Sequence, residues 1–502
     1  MNLHELLAES ARRHPDAVAV HDASGPTTYR ELDALAGRYA AALRHRGVEP
    51  GDRVVIWAGK TVHTIAVMQA ALQIGAVYVP VAAANPPARV RLIVRDSTPR
   101  LVVMGPDVMG GDVAGGNHDA PWDGPRPTTF TELYDAGADP PEPHPTGPDD
   151  PAYILYTSGS TGEPKGVCLS SRNALAFVEW AAGELEIGPD DRLSNHAPFN
   201  FDLSVFDIYA AFVGGASVHL VPDDMSYAPE RLVGFLRERR ITVWYSVPSA
   251  LSLMLRQGGL LDGPPPPDLR ACVFAGEAFA VHHVQALRKA WPQVRLLNWY
   301  GPTETNVCTS YEVTEADLAR TDPLPIGREC SGDTITLDPD GESLTDGTPL
   351  NDTGEVVVTG PTVMLGYWGQ EPHSGPYRTG DLARRDEHGD LHYLGRRDGM
   401  VKLRGHRVEL GEVEAALAAM DSVAEAAVVV AGSGTRARLH AFVVPAGGPA
   451  PSLLAVKRHC AERLPAYMTV DRVRSVAELP RTPNGKLDRA RLRAVVEGDG
   501  PR

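Results

Sequence analysis

The sequence predicts an α/β protein in two unequal parts. A large amino-terminal body of doubly wound α/β layers comes first, and a small α+β domain follows from about Met400. Three observations carry this. Helical and strand patterns alternate through the first hundred residues and resume at AYILYTSG, as layered α/β sheets do. After about Asp333 short strands dominate, in TITLDPDG, GEVVVTG and YRTGDLARRDEHGDLHYLGR. The tail then has its own order of helix, strand, strand and helix, in ELGEVEAALAAM, AEAAVVVAG, RLHAFVVP and LLAVKRHCAERL. With 502 residues, 43% hydrophobic and 22% charged, the chain can bury a core in each part.

The elements follow in order. ELDALAGRYAAALRHRG reads as an amphipathic helix, DRVVIWAG as a strand, TIAVMQAALQIG as a helix and VYVPV as a strand. The uncharged run between Lys60 and Arg89 is long enough to span a bilayer, but His63, Gln69, Gln73 and its prolines interrupt it. A buried helix followed by a buried strand is the better account. Gly105 to Asp150 is rich in Pro, Gly and Asp and reads as a surface excursion. The amino terminus lacks the apolar core of a signal peptide. A net charge of −16 speaks against nonspecific binding to nucleic acid or to an anionic membrane. Five scattered cysteines without a C-x-x-C fit a reducing, cytoplasmic setting and no disulfide framework.

Only six lysines occur, Lys60, Lys165, Lys289, Lys402, Lys457 and Lys486, in a chain whose Lys+Arg total is 48. Where arginine fills most cationic positions, a surviving lysine marks a place for a compact ammonium. Lys165, Lys402 and Lys486 each sit in a glycine-containing loop. The first of these loops is Tyr156-Thr-Ser-Gly-Ser-Thr-Gly-Glu-Pro-Lys-Gly166, directly after an apolar strand. Its glycines let the backbone curl round a polyanion, its hydroxyls and amides donate to phosphate oxygens, and Lys165 adds charge. It does not match G-x-x-x-x-G-K-[ST]. An ordinary Ser/Gly-rich turn is the bland alternative, and the length of the pattern speaks against it.

Further motifs stand with this loop in chain order. They are Thr28-Tyr-Arg-Glu-Leu32, Asn200-Phe-Asp-Leu-Ser204, Asn298-Trp-Tyr-Gly-Pro-Thr-Glu-Thr305, and Gly354-Glu355 with Gly366-Tyr367. Tyr377-Arg-Thr-Gly-Asp381, Gly395-Arg-Arg-Asp398, the run Val401 to Glu414, Leu464-Pro-Ala-Tyr-Met468 and Asn484-Gly-Lys486 complete the series. Together they resemble the adenylate-forming enzymes, and among these the amino-acid adenylation domains of nonribosomal peptide synthesis. The likeness runs along nearly the whole chain. NHAPFNFDLSVFDIYA and RTPNGKLDR bring it nearest to the standalone D-alanine:carrier-protein ligases. One departure is the loop Val81 to Pro87, where the family usually has an acidic residue.

The resemblance implies ATP and Mg2+, and attack of a carboxylate on the α-phosphate to give an acyl-adenylate and pyrophosphate. It implies that Lys486 bridges the carboxylate and α-phosphate, with Glu304 holding Mg2+ and Thr303 beside it as catalytic residues. Thr157, Ser158, Gly159, Ser160, Thr161, Gly162 and Lys165 would bind ATP. Gly276, Asn298 and Tyr300 would frame the adenine, with Glu277, Trp299, Gly301 and Pro302 in the same set. Asp381 would accept the ribose hydroxyls, and Tyr393 and Arg396 would lie along the ribose and phosphate edge.

For the amino acid it implies Asp202, Leu203, Phe206, Ser249, Val273, Ala275, Trp299, Val307, Cys308 and Lys486. A carboxylate within FNFDLSVFDIY is costly to bury unless a cation meets it. The resemblance pairs Asp202 with an α-ammonium; the simpler reading is a cap on the following helix. Relatives that take β-amino acids carry an acid where this chain has Ala197, so an α-amino acid is expected. Trp299 and Phe206 are large, which points to alanine, L or D, and then to glycine or serine.

The acceptor would be the phosphopantetheine thiol of a separate carrier protein, since the chain ends soon after Lys486, in a natural-product (antibiotic) pathway. The resemblance also implies that the body, residues 1–397, includes a distorted β-barrel and that the small domain, 398–502, is mobile: its rotation about Asp398 would exchange Lys486 for the Lys402–Gly405 loop. The alternatives are an acyl-CoA synthetase, which would leave Asp202 without a cation, and a catalytically silent scaffold, disfavoured by the intact motifs. Gly432-Ser-Gly-Thr-Arg-Ala437 matches G-x-G-x-x-A but runs into a strand, so it reads as a hairpin turn. His282-His283 and His459-Cys460 lack further ligands and read as surface positions.

Overall fold

Thr28 starts the first long helix. Its hydroxyl accepts from Glu31 N while the Glu31 carboxylate accepts from Thr28 N at 2.8 Å, a reciprocal cap. The next residue, Tyr29, is buried and donates its hydroxyl to the carbonyls of Ala216 at 2.7 Å and Ala211 at 3.0 Å. The Thr28–Leu32 motif therefore ties the helix Tyr29–His45 to the rest of the body. The computed structural model describes residues 1–108, 122, 124–134, 139–158, 163–226, 228–339, 352–397, 401–403, 406–432, 436–481 and 487–498.

Two large sheets make up the body. In the first, Leu101–Met104, Arg53–Ala58, Val77–Ala82 and Pro151–Thr157 run parallel, and Lys165–Ser170 returns antiparallel beside Pro151–Thr157. In the second, Val18–Asp22, Ser217–Leu220, Arg192–Asn195, Val243–Ser246, Ala271–Ala275 and Arg295–Tyr300 run parallel. The helices Tyr29–His45, Val62–Gln73, Ser171–Glu184 and Leu203–Gly214 supply side chains to one continuous core with strands of both sheets. Val62–Gln73 is buried on nearly every side, as a helix that is apolar all round must be. The expected buried helix and strand after Lys60 are thus both present, and no helix among the described residues is long and apolar enough to cross a membrane.

Where the β-barrel is expected, Thr334–Asp338, Thr353–Thr359, Tyr377–Arg385 and Leu391–Arg396 form a four-stranded antiparallel sheet, and an antiparallel bridge from Leu391 to Gly327 extends it. No closed barrel is formed among the described residues. The small α+β unit pairs Val423–Ala431 with Arg438–Pro445 antiparallel and adds Arg472–Ser475 in parallel. Leu410–Ala418 and Leu453–Arg463 cover it. Cys460 is fully buried in that core and not at the surface as expected, because it lies on the inner side of Leu453–Arg463. All five cysteines are free and buried.

Candidate active site

The carboxyl ends of the second sheet's strands open onto one cleft of about 660 Å³, counting its mouth. Asp202, Leu203, Ala275, Gly276, Gly301, Pro302, Thr303, Val307, Asp381 and Arg396 line it, so much of the expected set does converge. The placing is topological, since clefts of α/β sheets form where parallel strands end. Arg295–Tyr300 leads into a loop that returns as Thr309–Glu312, with Tyr300 opposite Thr309. That loop carries Thr303, Glu304, Asn306 and Val307.

Asp202 precedes the helix Leu203–Gly214 but makes no capping bond to it. Its Oδ2 accepts from the Thr303 hydroxyl at 2.7 Å, which removes the helix-cap alternative. Behind it stands an aromatic box. Trp299 packs against Phe206, Tyr245 and Trp180, each at 5.3 Å between ring centres, and against Phe177 at 5.9 Å. Trp299 and Phe206 are fully buried, and the cleft wall is made by Phe177 and Tyr245 in front of them. The argument from Trp299 bulk to an alanine-sized pocket therefore fails. The Ser249 hydroxyl donates to the Glu277 carboxylate at 2.6 Å, and Tyr245, within Val243–Ser246, is the residue of this stretch that lines the cleft. Val273 and Cys308 are buried in the surrounding strands and loop.

At the other end, Asp381 is 1% exposed, with Oδ2 accepting from Tyr300 at 2.5 Å and Oδ1 from Arg396 at 2.9 Å. Tyr393 Oη lies 3.5 Å from the same Oδ1. Burial pushes the Tyr300 phenol far above its ordinary pKa, so it stays a donor. Asn298 gives its amide to the Pro325 carbonyl at 2.8 Å and does not line the cleft. Glu304 is fully buried and accepts from the Tyr367 hydroxyl at 2.8 Å, while Lys165 lies 5.5 Å over the Tyr367 ring. Thr157 pairs with Lys165 across the first sheet's antiparallel strands. Gly159, Ser160, Thr161, Gly162, Asp398 and Lys486 lie outside the described residues.

The small unit reaches this cleft. Its hairpin, Val401–Leu403 with His406–Val408, puts His406 flat on Tyr467 at 3.7 Å and edge-on to Phe201, a cleft residue, at 5.5 Å. Glu409 N donates to the Ser158 hydroxyl at 3.2 Å. Arg89 and Glu412, 3% and 2% exposed, form an ion pair between body and small unit. Phe177, Phe201, Tyr245 and Asn306 line the cleft without having been expected there; only Phe201 and Asn306 touch a motif that could have flagged them.

Comparison places the chain. Residues 7–368 match the AMP-binding enzyme family and residues 412–486 the AMP-binding enzyme C-terminal domain, so the chain belongs to that family. Within it, the chain is an amino-acid-adenylating ligase of the adenylate-forming superfamily. It is 46% identical to an L-proline--[L-prolyl-carrier protein] ligase of Pseudomonas fluorescens, over 99% of each chain. A D-alanine--D-alanyl carrier protein ligase of Bacillus licheniformis is 31% identical, over 99% of this chain and all of that one. The amide bond synthetase McbA of Marinactinospora thermotolerans superposes with a TM-score of 0.83 at 25% identity, over 99% of both. The expected leaning to alanine loses its support, because the proline relative is much the nearer of the two ligases.

Proposed function

We propose that this chain activates L-proline with ATP and passes the prolyl group to the phosphopantetheine thiol of a separate carrier protein. The observation that carries this is Asp202, bonded by Thr303 at a cleft walled by Phe177, Tyr245 and Val307. A carboxylate there suits an α-ammonium, and an aromatic wall suits a compact apolar ring. The likeness to a prolyl ligase along the full chain supports the same choice.

In this reading a carboxylate oxygen attacks the α-phosphorus, the bond to the β-phosphate breaks, and pyrophosphate leaves. Lys486 draws the two anions together by charge and position, and Thr303 orients Asp202. Gly276 and Tyr300 border the nucleotide, and Asp381 trades its present donors for the ribose hydroxyls. Glu304 offers hard oxygen donors that fit Mg2+, which would neutralise phosphate charge when bound. The carrier thiol then attacks the prolyl carbonyl carbon, its proton leaves, and AMP is released. The hairpin at the cleft and the Arg89–Glu412 pair support a transfer step made with the small unit, from Asp398 on, docked as described.

Exchange of labelled pyrophosphate into ATP, compared for L-proline, L-alanine, D-alanine, glycine and L-serine, tests the substrate. L-proline is expected to support the fastest exchange, and a faster rate with either alanine overturns the choice. Lys486→Ala is expected to slow exchange by roughly 10²–10³-fold, as loss of one transition-state charge contact does.

A further inference from the structure

We infer that Asn306 is a further substrate-contact residue, gripping the amine and carboxylate of the bound amino acid with its side-chain amide. This rests on amino-acid adenylation as proposed above. Asn306 lies on the cleft wall with Asp202, Gly301 and Thr303. It is 3% exposed, yet neither Oδ1 nor Nδ2 has a hydrogen-bond partner. Buried polar atoms in native proteins are nearly always paired, and an amide left open at both ends needs a reason.

Its backbone adds a second, independent sign. Asn306 sits at φ 48°, ψ −143°, a region that glycine enters freely and other residues avoid. The conformation is built into the loop, since a Cβ on Gly301 would fall 1.6 Å from the Asn306 carbonyl oxygen. A purely structural residue here would be glycine, or would pair its amide. Strain and unmade bonds persist together at a residue on the cleft wall.

The chemistry of the amide matches a zwitterion. The secondary ammonium of proline has two N–H donors: Asp202 accepts one and Asn306 Oδ1 the other. Nδ2 then donates to a carboxylate oxygen, which can only accept.

Steady-state pyrophosphate exchange and thermal unfolding of the full chain test this. Wild-type exchange is measured first, and the variants are then assayed with whichever amino acid the wild type activates. Failure of the proline reading is thereby seen separately from failure of this inference. Asn306→Gly is expected to raise the amino-acid KM roughly tenfold or more, leave the ATP KM unchanged, and hold or raise Tm because glycine accepts the backbone. Asn306→Asp, which keeps an acceptor but loses the donor, is expected to fall between wild type and Asn306→Gly. A raised Tm with an unchanged amino-acid KM in Asn306→Gly overturns the inference. Equal rises in the KM values of amino acid and ATP overturn it too, since they report a disturbed loop.

Discussion

The two ends of the cleft handle their polar groups in opposite ways. At the end proposed above for the nucleotide, Tyr300, Arg396 and Tyr393 converge on Asp381, so the buried carboxylate is already hydrogen-bonded. At the end proposed for the amino acid, the Asn306 amide and the Tyr245 hydroxyl are buried on the wall with no hydrogen-bond partner. A closed network stabilises the protein and, in the proposed function, would exchange bonds to admit a ribose. Unmade bonds on a wall cost stability, and of these two groups only the Asn306 amide is expected to gain its bonds with substrate. Substitutions at the two ends should therefore divide between stability and affinity.

The largest difference is expected at Asp381. Asp381→Asn removes the charge that meets Arg396, which is itself 7% exposed on its side chain. Breaking a buried pair costs about 3–5 kcal/mol, so Tm should fall together with ATP affinity, measured by calorimetry and by nucleotide titration. An unchanged Tm would show that the network is not a stabilising one.

Asp202→Asn comes next and should behave in the opposite manner. A hydrogen bond to a charged group is worth about 1.5–3 kcal/mol, or roughly 10–150-fold in the amino-acid KM. Tm and the ATP KM should hardly change, because an amide oxygen at this position can still accept the Thr303 hydrogen bond. A matching rise in the ATP KM would erase the distinction between the two ends.

Lys60 links the amino-acid end to the body and gives a smaller, pH-dependent effect. Its ammonium, 3% exposed, donates to the carbonyls of Asn195 at 3.1 Å and His196 at 2.9 Å, just before the segment bearing Asp202. Burial depresses its pKa from 10.5 to about 8, with the Asp223 carboxylate opposing the shift. Between those values the unfolded chain keeps a proton that the folded chain has released. Unfolding free energy from this group therefore rises with pH across that window, by at most about 1.4 kcal/mol per pH unit. The difference between wild type and Lys60→Met, followed by urea unfolding from pH 7 to 10, should carry that slope. A flat difference curve would mean that Lys60 keeps its proton in the fold.

The same contrast explains what could be read from the sequence. The alternating layers and the buried helix and strand after Lys60 follow from periodicity, which is local. Asp202, Thr303, Glu304 and Asp381 lie in motifs, and the fold brings Asp202, Thr303 and Asp381 to one cleft. The cleft wall was harder, because it depends on which of several adjacent side chains faces inward. Tyr245 and Ser249 are four residues apart at the end of a strand and the start of a helix, and only the register decides that Tyr245 faces the cleft. Trp299 is large, but its size says nothing about whether it lies at the wall or behind it. The open four-stranded sheet depended on pairings between distant strands, which no local pattern encodes.

The smallest effect separates an idle polar group from a working one. Tyr245 is 1% exposed and packs on Phe206 and Trp299, while its hydroxyl lacks any partner. Burial holds the phenol protonated far above its usual range, so no charge is at stake. Proline has no side-chain hydrogen-bonding group to offer this hydroxyl, whereas serine does. Tyr245→Phe keeps the ring and removes only the unpaired atom, which should leave stability unchanged or raise it by up to about 1 kcal/mol. With proline as substrate the amino-acid KM should stay as it was. A rise in that KM would mean that the hydroxyl meets the substrate, and would turn the choice from proline toward an amino acid with a polar side chain.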